Sequence, residues 1–448
     1  MRGALAILAG LAAIGCGDNI EIRDPDRAIS GSRLRVMHHV YDDGTSQLET
    51  EWLHDRARGE DCAPTVWSDG ARYCTPASEP AVFVDGECTM LVGKAPRGAT
   101  PAYFRRVYVV RGEPRPSRLY EPREPVAAPA LVWELFDGLC IGPIDADPDA
   151  DYVALGPEIA SSALVRVAKL EQPADTRLAH SLYASDDGMQ LPITRALRDT
   201  VLDVECAPRA VEGDPHATCV PAMPIADYFR DDACTEPALA IRSGDETPAY
   251  VEHAGGDGCP SYARVGDAID LPSPFRRTAA GCTAAIASSD DRFFAIGASL
   301  DLVRLPRAPS TDGARLTRIE LRDGDHVFED ARLADTMLDI ECERVPTLEG
   351  DRCLPAASIT AEREPTFRDD ACTDPLALVL VPATSCRVPT HVVDAAGPRA
   401  LVPYAGAIFH LSTGDRCLPY SLAGTARSYE LGPVLPLSTF AAATTVIE

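Results

Sequence analysis

Apolar and polar residues alternate along this chain in short runs broken by turn formers. In Val201-Leu-Asp-Val-Glu-Cys206 and Leu338-Asp-Ile-Glu-Cys342, carboxylates fall on one side and apolar groups on the other, as a half-buried strand requires. Other runs, Tyr103-Phe-Arg-Arg-Val-Tyr-Val-Val110 and Leu376-Ala-Leu-Val-Leu-Val381, are rich in the β-branched and aromatic side chains that fit a pleated surface. With 38 Pro and 32 Gly in 448 residues, about one residue in six interrupts helices, whereas many short strands and turns tolerate that density. Helical periodicity is weak outside the N-terminus. The pattern predicts an all-β chain.

A signature recurs within it. Phe83-Val-Asp85-Gly-Glu-Cys88-Thr89, Phe229-Arg-Asp231-Asp-Ala-Cys234-Thr235 and Phe367-Arg-Asp369-Asp-Ala-Cys372-Thr373 share the form Phe-x-Asp-x-x-Cys-Thr. The openings Arg33-Leu34, Arg177-Leu178 and Arg315-Leu316 lie 144 and 138 residues apart, and four sets of cysteines keep nearly the same spacing. Several landmarks in constant order mean three tandem repeats, approximately 33–172, 173–310 and 311–448. Each copy also divides in two. Gly350-Asp-Arg-Cys353-Leu-Pro355 returns as Gly414-Asp-Arg-Cys417-Leu-Pro419, which suggests six units in all. Residues 33–78 read as the back of a unit and 428–441 as the front of one, so the chain ends complete one another. A six-bladed β-propeller closed in this way is the expected fold. The alternative is three tandem β-sandwich or barrel domains, with 428–441 an ordinary last strand.

The N-terminus adds a location. One early positive charge, an apolar stretch from Ala4 to Ile14 and small residues before Cys16 describe a signal peptide over residues 1–15, too short to span a bilayer. Ala13-Ile14-Gly15-Cys16 resembles a bacterial lipobox, which implies lipid on Cys16 and a membrane as partner through that lipid. Ordinary secretion with Cys16 unmodified or removed is the alternative. Residues 16–32 read as a tether. Gly17 after the cysteine favours the outer membrane by resemblance to enterobacterial sorting, on its periplasmic or cell-surface face.

Removing Cys16 from 15 cysteines leaves an even set, which in an exported chain reads as a disulfide framework. Cys-x-x-Cys is absent, so a thiolate metal site is not indicated. The intervals suggest Cys62–Cys74, Cys206–Cys219 and Cys342–Cys353 across hairpins, each contributing about 3 kcal/mol by chain entropy. They suggest Cys88–Cys140, Cys234–Cys282 and Cys372–Cys417 across most of a unit. Cys259 and Cys386 remain, either bonded to each other or reshuffling the local pairing.

A net charge of -26 and the lack of a basic patch exclude nucleic acid, leaving cationic partners or divalent ions. Asp145, Asp147, Asp149 and Asp151 alternate as calcium-binding loops do, but Ala150 and Gly156 stand where such a loop has its glycine and final carboxylate. Calcium is therefore the one weak metal candidate, and no cofactor is otherwise expected. Asp85, Asp231 and Asp369 fit turn formers better than acids or bases, since a repeated role suits three copies. Asp231-Asp232 and Asp369-Asp370, read as strand neighbours, point oppositely and cannot share a proton. The nine histidines occupy no shared repeat position, His38-His39 falls in a strand, and neither His-Glu-x-x-His nor Gly-x-Ser-x-Gly occurs. With Cys16, the three signatures and the Arg-Cys-Leu-Pro elements, residues 16–448 resemble the uncharacterised cysteine-rich lipoproteins abundant in myxobacteria. That resemblance implies an envelope location and no known activity. The expectation is a non-enzymatic envelope lipoprotein that binds, adheres or builds surface structure, with an envelope protein or glycan as partner. An envelope hydrolase or lyase with a site built from propeller loops is the alternative.

Overall fold

The computed structural model describes residues 27–448 except 111–112, 137–138, 173–174, 211–213, 256–258, 279–280, 311–314, 357–365, 383–389, 395, 413–415 and 420–425. The expected signal peptide, Cys16, most of the expected tether and Cys386 lie outside the described residues. Among the described residues all regular structure is strand apart from two single 3₁₀ turns, Ser161–Ala163 and Leu437–Thr439, so the all-β expectation holds.

Each copy has the same five-part frame. An opening strand turns into a return strand, a cysteine hairpin follows, a separate sheet is inserted, and a closing strand ends the copy. In the third copy these are Leu316–Asp323, His326–Asp335, the hairpin of Ile340–Thr347 with Gly350–Pro355, and Ala442–Ile447. In the second they are Leu178–Ser185, Gln190–Asp199, Val204–Ala210 with His216–Pro221, and Arg304–Pro309. The opening leucines Leu34, Leu178 and Leu316 and the return leucines Leu53, Leu197 and Leu333 are wholly buried. Each such side chain contributes about 2 kcal/mol by leaving water.

The chain divides into two compact units that do not follow the repeat boundaries. One comprises residues up to Val36, Glu51–Leu170 and Leu182–Pro192. It holds a four-stranded sheet in the order Leu34–Arg35, Leu53–Asp55, Glu60–Val66, Arg72–Pro76. It also holds the first copy's inserted seven-stranded sheet, cored by Val82, Val132, Ala150 and Tyr152. The other unit comprises Met37–Thr50, Glu171–Ser181 and Ile193–Glu448. Much of the second copy's frame and all of the third copy's lie in it as an antiparallel run in which strands pair across copy boundaries. Arg304–Pro309 pairs with Leu316–Asp323, and Ala442–Ile447 pairs with Met37–Tyr41.

Those two pairings bear on the propeller expectation. Blades of a propeller do not share strand hydrogen bonds, whereas here the closing strand of one copy is bonded to the opening strand of the next, so the pairing does not reproduce six separate blades. The first and last copies are joined, but by Ala442–Ile447 rather than by 428–441. Half of the latter stretch belongs to Ala426–Val434, which pairs inside the third copy's inserted sheet with Leu378–Pro382 and Gly397–Pro403. Its Tyr429-Glu-Leu-Gly432 matches Phe294-Ala-Ile-Gly297 of the second copy, which fills the same central place in an inserted sheet.

Candidate functional site

The signature is a turn. Asp85 accepts the amides of Thr89 and Met90 at 2.8 and 3.1 Å, Asp231 those of Thr235 and Glu236 at 2.8 and 2.9 Å, and Asp369 those of Thr373 and Asp374 at 2.8 and 3.0 Å. The threonine hydroxyl donates to the same carboxylate each time. Hydrogen bonds from Thr89 and Thr235 hold Asp85 and Asp231 below the usual carboxylate range, and the Asp374 amide does so first for Asp369. Cys88, Cys234 and Cys372 have φ of 53°, 53° and 52°, a left-handed position that a non-glycine residue keeps only when its surroundings fix it. All three are fixed by disulfides, to Cys140, Cys282 and Cys417. The hairpin disulfides Cys62–Cys74, Cys206–Cys219 and Cys342–Cys353 are also formed, and Cys259 is disulfide-bonded. Asp232 and Asp370 sit in the same turns rather than in strands.

Two further triplets emerge that the sequence reading passed over. Each opening arginine reaches a buried aspartate: Arg33 to Asp55 at 2.6 Å, Arg177 to Asp199 at 2.7 Å and Arg315 to Asp335 at 2.7 Å. The same aspartates cap the next turn, accepting the amides of Ala57, Val201 and Met337, each at 3.0 Å. Burial would raise the carboxyls of Asp55 and Asp199, but the facing guanidinium and the turn amides outweigh it and hold both low. The visible signal was Leu-x-Asp, at Leu53-His-Asp55, Leu197-Arg-Asp199 and Leu333-Ala-Asp335.

The second triplet is Asp-Gly. Gly44, Gly188 and Gly324 have φ of 89°, 91° and 60°, and turn the opening strand into the return strand. The aspartate before each glycine grips the start of another copy. Asp43 accepts the amides of Arg315 and Leu316 at 3.1 and 2.6 Å, and Asp187 those of Arg33 and Leu34 at 2.6 and 2.7 Å. Asp323 accepts the Thr176 hydroxyl at 2.6 Å and lies 3.2 Å from His180 Nε2. The first copy thus grips the third, the third the second, and the second the first, each grip falling within one compact unit.

The proposed calcium residues have separate partners. Asp147 lies 3.2 Å from Lys94 Nζ, Asp149 3.6 Å from Arg97, and Asp151 accepts the Gly98 amide at 2.7 Å. Asp145 stands at the end of an exposed strand. Among the described residues no group of three or more His, Cys, Asp or Glu is placed to hold a metal ion. His39 is buried in Met37–Tyr41, with Nε2 at 2.8 Å from Glu49 and Nδ1 at 3.2 Å from Thr445 Oγ1. His180 stacks on His326 with ring centroids 4.4 Å apart.

The feature that the triplets do not account for is an open cleft of about 400 Å³ between the frames of the second and third copies. Ala207–Ala210 of the second copy and Leu321 and Glu329–Arg332 of the third line it, together with Arg195 and Glu343. An ion-pair network backs it. Arg307, only 4 % exposed, meets Asp330 at 2.8 Å and Glu341 bidentately, while Arg332 meets Glu341 at 3.0 Å and donates to the Ala210 carbonyl at 3.1 Å. Burial works against the Arg307 charge, but Glu341 and Asp330 outweigh it and its pKa is raised. Glu329 Oε1 accepts Arg318 at 2.8 Å. Its Oε2 is buried without a hydrogen-bond partner.

A family model described as a family of unknown function (DUF7481) matches residues 7–440. The chain belongs to that family. No curated protein matches it. For this DUF7481 member, then, chemistry is read from the cleft itself. Its walls carry charges of both signs, and the inner carboxylates Asp330 and Glu341 are already neutralised by guanidinium groups. Such a wall presents charged and hydrogen-bonding groups of both signs to the open space. Its residues come from five strands far apart in sequence, and no local motif announces them.

Proposed function

We propose that the protein is a non-enzymatic binding protein of the bacterial envelope, held to a membrane by lipid on Cys16, with the cleft between the second and third frames as its ligand site. The observation that carries this reading is the division of labour among the charged groups. The repeated carboxylates are consumed by turns, grips and buried ion pairs, which are structural tasks done three times over. The unrepeated cleft retains open space lined by charged side chains of both signs. Six disulfides among the described residues accord with an oxidising compartment, extracellular or envelope. The lipobox-like Ala13-Ile14-Gly15-Cys16 supports the anchor.

Intact mass and detergent partitioning test the anchor. The native protein should carry acyl mass and enter the detergent phase, and Cys16→Ser should do neither. Binding is tested by thermal shift of the purified protein against envelope glycans, peptides and polyamines, with each ligand weighed afterwards. A ligand that raises the melting temperature and returns unchanged supports the reading. Steady conversion to a product would establish the hydrolase or lyase instead.

A further inference from the structure

The first copy has a recess of its own. It measures about 300 Å³ and lies between the cysteine hairpin, Glu60–Val66 with Arg72–Pro76, and the inserted sheet, all within one compact unit. The Ser68 amide joins the two, donating to the Pro116 carbonyl at 2.9 Å. The hairpin supplies Thr65 and the paired Ala63 and Thr75. The inserted sheet supplies Arg105 and, two residues on and so on the same face, Val107 paired with Pro116. Trp52 and Ser78 also line it. The three cysteine hairpins share one register, with Cys62 facing Pro76, Cys206 facing Pro221 and Cys342 facing Pro355. In that register Thr65 becomes Arg209 and Val345, and Thr75 becomes Val220 and Leu354. Trp52, just before the return leucine, becomes Ala196 and Arg332. The lining is therefore not repeated, unlike the turns and grips that build the frame.

Among the described residues Arg105 is the only charged one in this lining. It is half-buried, and its Nη1 donates to the carbonyl and, at 3.3 Å, the hydroxyl of Ser78. Among the described residues no carboxylate pairs with it. Lys94, Arg97 and Arg118, in or beside the same sheet, each have one: Asp147 at 3.2 Å, Asp149 at 3.6 Å and Glu158 at 2.9 Å. In the second copy the cation at the Thr65 place, Arg209, meets Glu252 of its own inserted sheet at 2.8 Å. Trp52 is half-buried as well, and its indole N–H has no partner among the described residues. The Thr65 hydroxyl donates to the Ala63 carbonyl at 3.0 Å, which leaves its oxygen able to accept. Thr75 is already occupied, accepting Trp67 Nε1 at 2.8 Å and donating to the Tyr73 carbonyl at 3.2 Å.

We propose that this recess binds a sugar acid, a pyranose ring carrying one carboxylate. The carboxylate meets the Arg105 guanidinium, the C–H face of the ring lies against Trp52, and a ring hydroxyl donates to Thr65. A lone cation with no acid beside it in the lining selects an anion, and its charge-assisted bonds to a carboxylate are about twice as strong as neutral ones. The indole, with an apolar face and a polar edge, and the Thr65 acceptor add nothing for a bare inorganic anion, so they favour a hydroxylated organic one. The volume lies at the lower end for small-molecule sites, which fits a single ring. This site does not depend on the cleft between the second and third frames.

Galacturonate and glucuronate are the probes, titrated calorimetrically into the full chain beside galactose, glucose and inorganic phosphate. At least one uronate should bind, about tenfold or more tighter than its neutral counterpart and than phosphate. Arg105→Gln should weaken that uronate by about tenfold to a hundredfold, the worth of a charged hydrogen bond, and bring it level with the neutral sugar. Trp52→Leu breaks no hydrogen bond of that side chain and should weaken acid and neutral sugar alike, which keeps the test in force if Arg105→Gln fails to fold. Absence of heat with both uronates, phosphate binding as tightly as either, or undiminished uronate binding in Trp52→Leu or in a folded Arg105→Gln overturns the proposal.

Discussion

Asp199 illustrates how much of this protein is held by single side chains. It is buried, takes two hydrogen bonds from Arg177 and caps the amides of Val201 and Leu202. Asp199→Asn keeps the shape but leaves the guanidinium, itself about a quarter exposed, without its countercharge. A loss of about 2–4 kcal/mol in urea unfolding is expected, below the full value for a wholly buried pair. A loss under about 0.5 kcal/mol would return it to the class of ordinary surface pairs. The low folded pKa values of Asp55, Asp199 and the signature aspartates set the acid response. A carboxyl lowered on folding stabilises above its unfolded pKa of about 3.9, and that contribution is lost as pH falls through the folded value. The urea midpoint should therefore hold from neutrality to about pH 5 and fall steeply below about pH 4. Asp199→Asn should flatten part of that fall, and an unchanged slope would contradict the assignment.

At the scale of elements, the strands, the repeat and the disulfides were legible because each rests on local chemistry. Alternation exposes a strand, and paired cysteines at hairpin distance declare themselves, as Cys206 and Cys219 do. Cys206→Ser with Cys219→Ser should remove about 3 kcal/mol while leaving the frame intact. The Asp-Gly turns are equally local, but Asp-Gly also stands at 69–70, 85–86 and 137–138, so the dipeptide alone does not mark the opening of a copy. Gly44→Ala meets no atom within 4 Å, so its cost is the left-handed backbone alone, about 1–2 kcal/mol by thermal unfolding. What could not be read was which strand follows which across copies. Pairing of Arg304–Pro309 with Leu316–Asp323 leaves no mark in either strand's own pattern. The propeller expectation failed to anticipate it, since repeated units look alike whether or not their sheets are continuous.

For the whole molecule, similarity among the copies explains the fold and their differences point to function. The frame residues recur, whereas the cleft is lined by residues of the second and third copies alone. Deleting 442–448 removes the strand shared by the third copy and the first, and should expose Met37–Tyr41 and the end of Gly350–Pro355 together. The most direct test of the binding claim is amide hydrogen exchange of the full chain with and without a saturating amount of the compound that raises its melting temperature most. Added protection should concentrate in 207–210 and 328–332, with 37–49 unchanged. Equal protection at 37–49, or none at the cleft, would contradict the account.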